Sequence, residues 1–248
     1  VDSQIGRVLT ELDSLGMTNE TMVVLHADHG WSLGEHGEWQ KFSNSEQGTR
    51  VPLIVRVPWL PQSRGKRTDV LAELIDVFPT MMEALDVPML GPEAKTLDGT
   101  SLLPVLRFPD DPMVAARTKP YALSQYMRCP RVDPQDPSEF WRRNDCLSTD
   151  RTEFPFFGYT LRTREWRYTE WVRWDGERLR PDWSFVVGSE LYSHVGDDGT
   201  DLDGFEVTNE CDSHPGVARR LSALLRRAVD GQSRLPDAPL ADDGPRPA

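Results

Sequence analysis

The sequence predicts an α/β chain, and two observations predict it. Near the start, a short apolar run breaks into a long polar loop and is followed by a second apolar run and an amphipathic helical stretch. Near residue 157 the hydrophobic period changes to about two residues, as antiparallel strands require.

The elements follow in order. Ile5, Val8, Leu9 and Leu12 recur at helical spacing, so the opening residues read as an amphipathic helix ending near Gly16. Met22 to Leu25 is apolar and partly β-branched, and it breaks at Asp28-His29-Gly30; it reads as a buried parallel strand whose C-terminal end opens into a loop. That end is where open α/β sheets place their chemistry. Gly30 to Arg50 lacks aliphatic periodicity and is rich in polar and aromatic residues, the mark of a long functional loop. Val51 to Val57 reads as a second strand. Val70, Leu71, Leu74, Ile75, Phe78, Met82 and Leu85 predict one long helix kinked at Pro79.

Pro88 to Pro120 is dense in Pro and Gly and reads as a connector with one helical turn around Leu102 to Leu106. Tyr121 to Tyr126 predicts a strand, and Cys129 to Pro155 reads as a crossing into a smaller domain. Tyr159, Leu161, Trp166, Tyr168 and Trp171 to Trp174 alternate as antiparallel strands would. Gly188 to Tyr192 adds a short strand, and Val217 to Val229 a helix with Leu221, Leu224 and Leu225 on one face. The Pro- and Asp-rich tail is too polar to fold.

Of 248 residues, 40 are acidic and 28 basic, for a net charge of -12. Such a balance argues against nucleic acid or an acidic membrane surface as partner, since both require a basic footprint. No apolar run is long enough to span a bilayer as a helix. A small molecule or glycan fits better, and an anionic substrate would need a local cation cluster or a metal. Cys129, Cys146 and Cys211 lack the paired short spacings of a zinc site. A bridge between Cys129 and Cys146 in an oxidising compartment and a set of free thiols both fit the sequence.

The chemistry concentrates in Asp28-His29-Gly30-Trp31-Ser32-Leu33-Gly34-Glu35-His36-Gly37-Glu38-Trp39-Gln40-Lys41. A carboxylate and an imidazole adjacent at a strand end can converge on one divalent cation once the strand breaks, because its alternation no longer separates them. A single loop histidine is as readily a hydrogen-bonding residue, and a loop lysine a solvated one.

This string, with Val51-Pro52-Leu53 after it, closely resembles the calcium-site segment of sulfatases of the iduronate-2-sulfatase type. Leu74-Ile75-Asp76-Val77-Phe78-Pro79-Thr80, Ser124-Gln125-Tyr126, Leu161-Arg162-Thr163 and Trp166-Arg167-Tyr168-Thr169 resemble later segments of the same family, in the same order. The resemblance implies the C-terminal portion of an alkaline-phosphatase-like α/β fold. Residues 1–150 would belong to the large sulfatase domain, 151–232 would form a small domain of antiparallel strands and a helix, and 233–248 a disordered tail.

By the same resemblance, Asp28 and His29 would be two ligands of one Ca²⁺ ion whose other ligands lie outside this chain. Lys41 would contact the sulfate and stabilise negative charge. Trp31 would shape the pocket; His36 would reach it or pack within the Gly34 to Trp39 loop. Arg50 and the Arg64 to Arg67 turn could attract an acidic sugar. The expected activity is hydrolysis of a sulfate ester on a sulfated glycan or smaller molecule, with phosphodiester or phosphonate hydrolysis and non-catalytic glycan binding as alternatives. The family's members are commonly lysosomal, secreted or periplasmic.

One departure stands out. The family's nucleophile is a Cys or Ser in a Cys/Ser-x-Pro-x-Arg motif, oxidised to formylglycine, and no such string occurs among the 248 residues. Cys129-Pro130-Arg131 has its Pro in the wrong place. The sequence is therefore expected to be a fragment, inactive alone, whose partner is the missing N-terminal half.

Overall fold

The computed structural model describes residues 1–88, 97–130, 146, 149–201 and 204–231. In chain order its elements are α1 (Asp2–Ser14), β1 (Val23–His26), β2 (Ser32–Leu33), β3 (Trp39–Gln40), α2 (Glu46–Thr49), β4 (Leu53–Arg56), α3 (Val77–Ala84), α4 (Leu103–Arg107), α5 (Pro112–Ala116), β5 (Ala122–Arg128), β6 (Phe156–Arg162), β7 (Trp166–Asp175), β8 (Arg180–Ser193) and α6 (Pro215–Val229). They divide into two compact units: Val1–Asp28 with Val51–Lys119, and His29–Arg50 with the described residues from Pro120 onward.

In the first unit, α1 ends as expected, with Gly16 at φ +70° and its amide donating to the Asp13 carbonyl. None of its residues is buried, and Val8 is 70% exposed. β1 is not the buried parallel strand its composition predicts. It pairs antiparallel with β4, from Val23 opposite Arg56 to His26 opposite Leu53, and its residues are half-buried or exposed. A short apolar run carries no information on strand direction; its partner β4 returns after the intervening loop.

The long kinked helix predicted over Val70 to Leu85 is also corrected. Val70 to Glu73 are not helical, and a 3-10 turn, Leu74–Asp76, leads into α3. A reciprocal cap sets the start: the Glu73 amide donates to the Asp76 carboxylate at 2.8 Å while the Asp76 amide donates to the Glu73 side chain. Pro79 then falls in the first turn of α3, where a missing N–H costs little, so it marks no kink.

Asp76 is fully buried and also accepts from the Thr100 amide and from Lys119 Nζ, each at 2.7 Å. Burial alone would lower the Lys119 pKa, but its hydrogen bonds to Asp76 and Glu73 win and raise it. These contacts tie the start of α3 to Thr100 and Lys119, in a unit whose buried apolar residues include Val57, Leu103 and Val105.

The second unit is built on one antiparallel sheet of order β5-β6-β7-β8. Phe157, Tyr159 and Leu161 of β6, Tyr168 and Val172 of β7 and Leu191 of β8 alternate toward one face. There they meet Leu221, Leu224 and Leu225 of α6. Each of those leucines is at most 2% exposed, a burial worth about 2 kcal/mol apiece. Arg226 clips α6 to β7 through the buried Glu170 carboxylate, 3.0 Å away.

Of the two readings of the cysteines, the structure has the bridge: Cys129 and Cys146 form a disulfide with Cα atoms 5.4 Å apart, and Cys211 is a free thiol. Residues 233–248 and most of the Cys129 to Pro155 crossing lie outside the described residues. Among the described residues no helix is long and apolar enough to cross a membrane.

Candidate functional site

The loop 29–50 is folded, and its own sequence folds it. Ser32 pairs with Gln40 and Leu33 with Trp39 to make a two-stranded hairpin around a 3-10 turn, Glu35–Gly37. His36 and Gln40 hold φ of 54° and 69°, left-handed values that are uncommon outside glycine. Where the loop begins and ends, the Gly30 amide donates to the Gly48 carbonyl at 3.0 Å. A Cβ on Gly30 would collide with the Gln47 carbonyl oxygen, so only glycine allows this closure.

His29 and Lys41 meet inside the loop. The His29 Nδ1 lies 2.7 Å from the Gly30 carbonyl oxygen, which can only accept, so the proton belongs on Nδ1. The lone pair then sits on Nε2, and Lys41 Nζ donates to it at 2.8 Å. A histidine whose Nδ1 is anchored on a backbone carbonyl presents Nε2 in the form a metal ligand needs. A half-buried imidazole and the exposed Asp28 carboxylate before it in the chain are donor types that a divalent cation accepts, and in this structure Lys41 holds the Nε2 lone pair.

Trp31 is 54% exposed, with its ring centroid 6.2 Å from that of His29. His36 is exposed, and its Nε2 lies 3.0 Å from the Gln47 amide nitrogen, packed within the loop. Arg50 is engaged by Glu46 and Asp197, at 3.2 and 3.5 Å. In the Arg64 to Arg67 turn, Lys66 pairs with Asp110 at 2.7 Å.

Sequence reasoning missed a second constellation, on the face of the sheet opposite α6. Arg162 and Arg167 are register partners on β6 and β7, and both donate to Glu46 Oε2. Arg167 also binds Glu206, the Asn44 carbonyl at 2.9 Å and Thr49 Oγ1 at 3.3 Å. The Glu46 amide donates to Glu206 at 2.8 Å, and His194 lies between Asp197 and Glu206, 2.9 Å from each. Asn44 Nδ2 reaches the Gly158 carbonyl at 3.0 Å. Burial pushes the Glu46 carboxyl up, but Arg167, Arg162 and His194 outweigh it and hold the pKa at about 2. Glu206 is lowered in the same way, with burial opposed by Arg167 and a hydrogen bond from His194.

The fold is a portion of the alkaline-phosphatase/sulfatase type, as likeness to solved structures shows. The chain matches the phosphonate monoester hydrolase of Silicibacter pomeroyi with a TM-score of 0.64, over 94% of this chain and 39% of that one. At 23% identity that likeness concerns the fold alone. A structure solved in complex with its substrate, D-glucosamine-2-N,6-O-disulfate, matches with a TM-score of 0.58 and 21% identity, over 94% of this chain and 38% of that one. The Sulfatase family profile matches residues 1–87. Iduronate 2-sulfatase of Homo sapiens is 32% identical over 225 residues, 77% of this chain and 40% of that protein. The chain belongs to the sulfatase family and spans about 40% of the length of that curated relative.

Proposed function

We propose that this chain supplies part of the active site of a sulfatase that hydrolyses sulfate esters, on a sulfated sugar or glycan, as part of a longer protein. Asp28 and His29 are two ligands of one Ca²⁺ ion, Lys41 contacts the sulfate, and Trp31 and His36 border the pocket. When bound, the ion supplies positive charge that polarises a sulfate oxygen. The nucleophile, a formylglycine, comes from an upstream part of the protein, so these residues alone are inactive. Residues 1–150 belong to the large domain of that protein and 151–232 to its small one.

The observation that carries this reading is the meeting of Lys41 with His29 Nε2. With a cation on Nε2, Lys41 must release that lone pair, and its ammonium is then left beside the ion, where the two positive charges favour an anion such as a sulfate. A sulfated sugar as substrate is supported by the relative whose structure contains one. The likeness to a phosphonate monoester hydrolase makes phosphonate esters the natural second substrate class to assay.

The test is to express the complete protein with Ca²⁺ and compare an aryl sulfate with an aryl phosphonate, for the wild type and for Lys41→Ala and His29→Ala. Sulfate hydrolysis lost in both variants supports the reading. Preference for the phosphonate would overturn the substrate class, and an inert wild type that still binds sulfated glycan would make the protein a binding relative.

A further inference from the structure

Glu46, His194 and Glu206 bring three ligand atoms within 4.8 Å of one another, and among the described residues this is the grouping most like a second metal centre. Its surroundings speak against a metal. The carboxylates of Glu46, Asp197 and Glu206 are already matched by the guanidinium groups of Arg50, Arg162 and Arg167, each within ion-pair distance. A dication would leave two uncompensated positive charges in a pocket where Arg167 is only 3% exposed, and buried net charge is severely penalised.

The geometry points to a different use: Arg167 is a positioning residue, and its ionic cluster is the anchor that fixes the His29–Lys41 loop on the sheet. Its guanidinium reaches Asn44, Glu46 and Thr49, so it spans α2 from before its first residue to its last. From α2 the constraint passes directly to the site. The Gly48 carbonyl holds the Gly30 amide, the Gly30 carbonyl holds His29 Nδ1, and Gln47 holds His36. Lys41 lies three positions before Asn44, whose side chain is itself tied to β6. A shift of α2 would thus move both His29 and Lys41.

The planar fork of arginine is needed for this, because it binds Glu46 and Glu206 through different nitrogens at once; a lysine keeps the charge and loses the fork. Glu46 in turn separates Arg162 from Arg167, two like charges that would otherwise face each other across the strands.

The inference rests on the sulfatase reading for its catalytic consequence and on the structure alone for the anchoring. Both are tested in the complete protein with Arg167→Lys, which spares the buried charge, alongside Arg167→Met. Amide hydrogen exchange is followed in peptides covering 29–50 and in peptides covering β6 and β7. For Arg167→Lys we expect exchange in 29–50 to accelerate about tenfold with β6 and β7 unchanged, and kcat on an aryl sulfate to fall about tenfold or more while KM moves less. Unchanged exchange in 29–50, or equal acceleration throughout the sheet, would overturn the anchor. Unchanged kcat despite a loosened loop would overturn its role in positioning. If the wild type hydrolyses no sulfate ester but the exchange pattern appears, the anchor stands and the enzymatic reading alone falls.

Discussion

Gly30 and Gln47 approach so closely that the carbonyl oxygen of Gln47 occupies the place where a Gly30 side chain would begin. Gly30→Ala must therefore open the closure of the 29–50 loop. Overpacking of this kind costs about 1–3 kcal/mol. Denaturant melts of the variant should show a loss in that range, with faster amide exchange at Gly30; a wild-type midpoint would mean that the backbone relaxes freely there.

The cluster around Arg167 gives stability a defined pH dependence. The folded pKa of Glu46 is about 2 against an ordinary value of 4.5, so its contribution, roughly 3 kcal/mol, is complete above pH 4.5. It is lost as pH falls from there through 2, and the lowered Glu206 acts in the same direction. The stability difference between wild type and Glu46→Gln, measured by denaturant titration at a series of pH values, should shrink across that window. A difference that stays constant would show that the carboxylate charge contributes nothing.

Lys41→Ala removes the donor at His29 Nε2 but leaves the Gly30 carbonyl that fixes the ring. The variant of the complete protein should retain Ca²⁺ binding by calorimetry and lose about 10²–10³ in kcat. His29→Ala should weaken Ca²⁺ binding itself. Equal Ca²⁺ affinity in wild type and His29→Ala would remove His29 from the ligand set.

The Cys129–Cys146 bridge closes a loop with a sequence separation of 17, for which the chain-entropy estimate is about 3 kcal/mol. Reduction should lower the midpoint of the wild type accordingly and leave Cys129→Ser/Cys146→Ser unaffected. If reductant moves both or neither, the bridge does not form in solution.

Most strands and the last helix were legible because their signals are local. Alternation from Tyr159 to Trp174 marked β6 and β7, and the leucine stripe of 217–229 marked α6 almost to its ends. The direction of β1 was not legible, since a four-residue apolar strand looks the same beside a parallel or an antiparallel neighbour. Val70 and Leu71 fit a helical stripe yet stay outside α3, because the cap between Glu73 and Asp76 starts the helix later; that pair, three residues apart, was a readable signal. Of the candidate site, the loop could be found through family resemblance. The Arg167 cluster could not, for Glu46 and Glu206 stand 160 positions apart and no spacing rule links them.

That separation also bears on the order in which the unit folds. The β6–β7 pairing is local, with Arg162 and Arg167 facing each other, whereas the Glu46 carboxylate that relieves their repulsion arrives from 121 positions away. Contacts of such long range form late, after much of the chain entropy has been lost. Asp197 and Glu206 offset part of that repulsion from nearer in the chain, and Glu46 completes the balance when the loop docks, so substitutions at Glu46 should raise the unfolding arm of a chevron plot and leave the refolding arm nearly untouched.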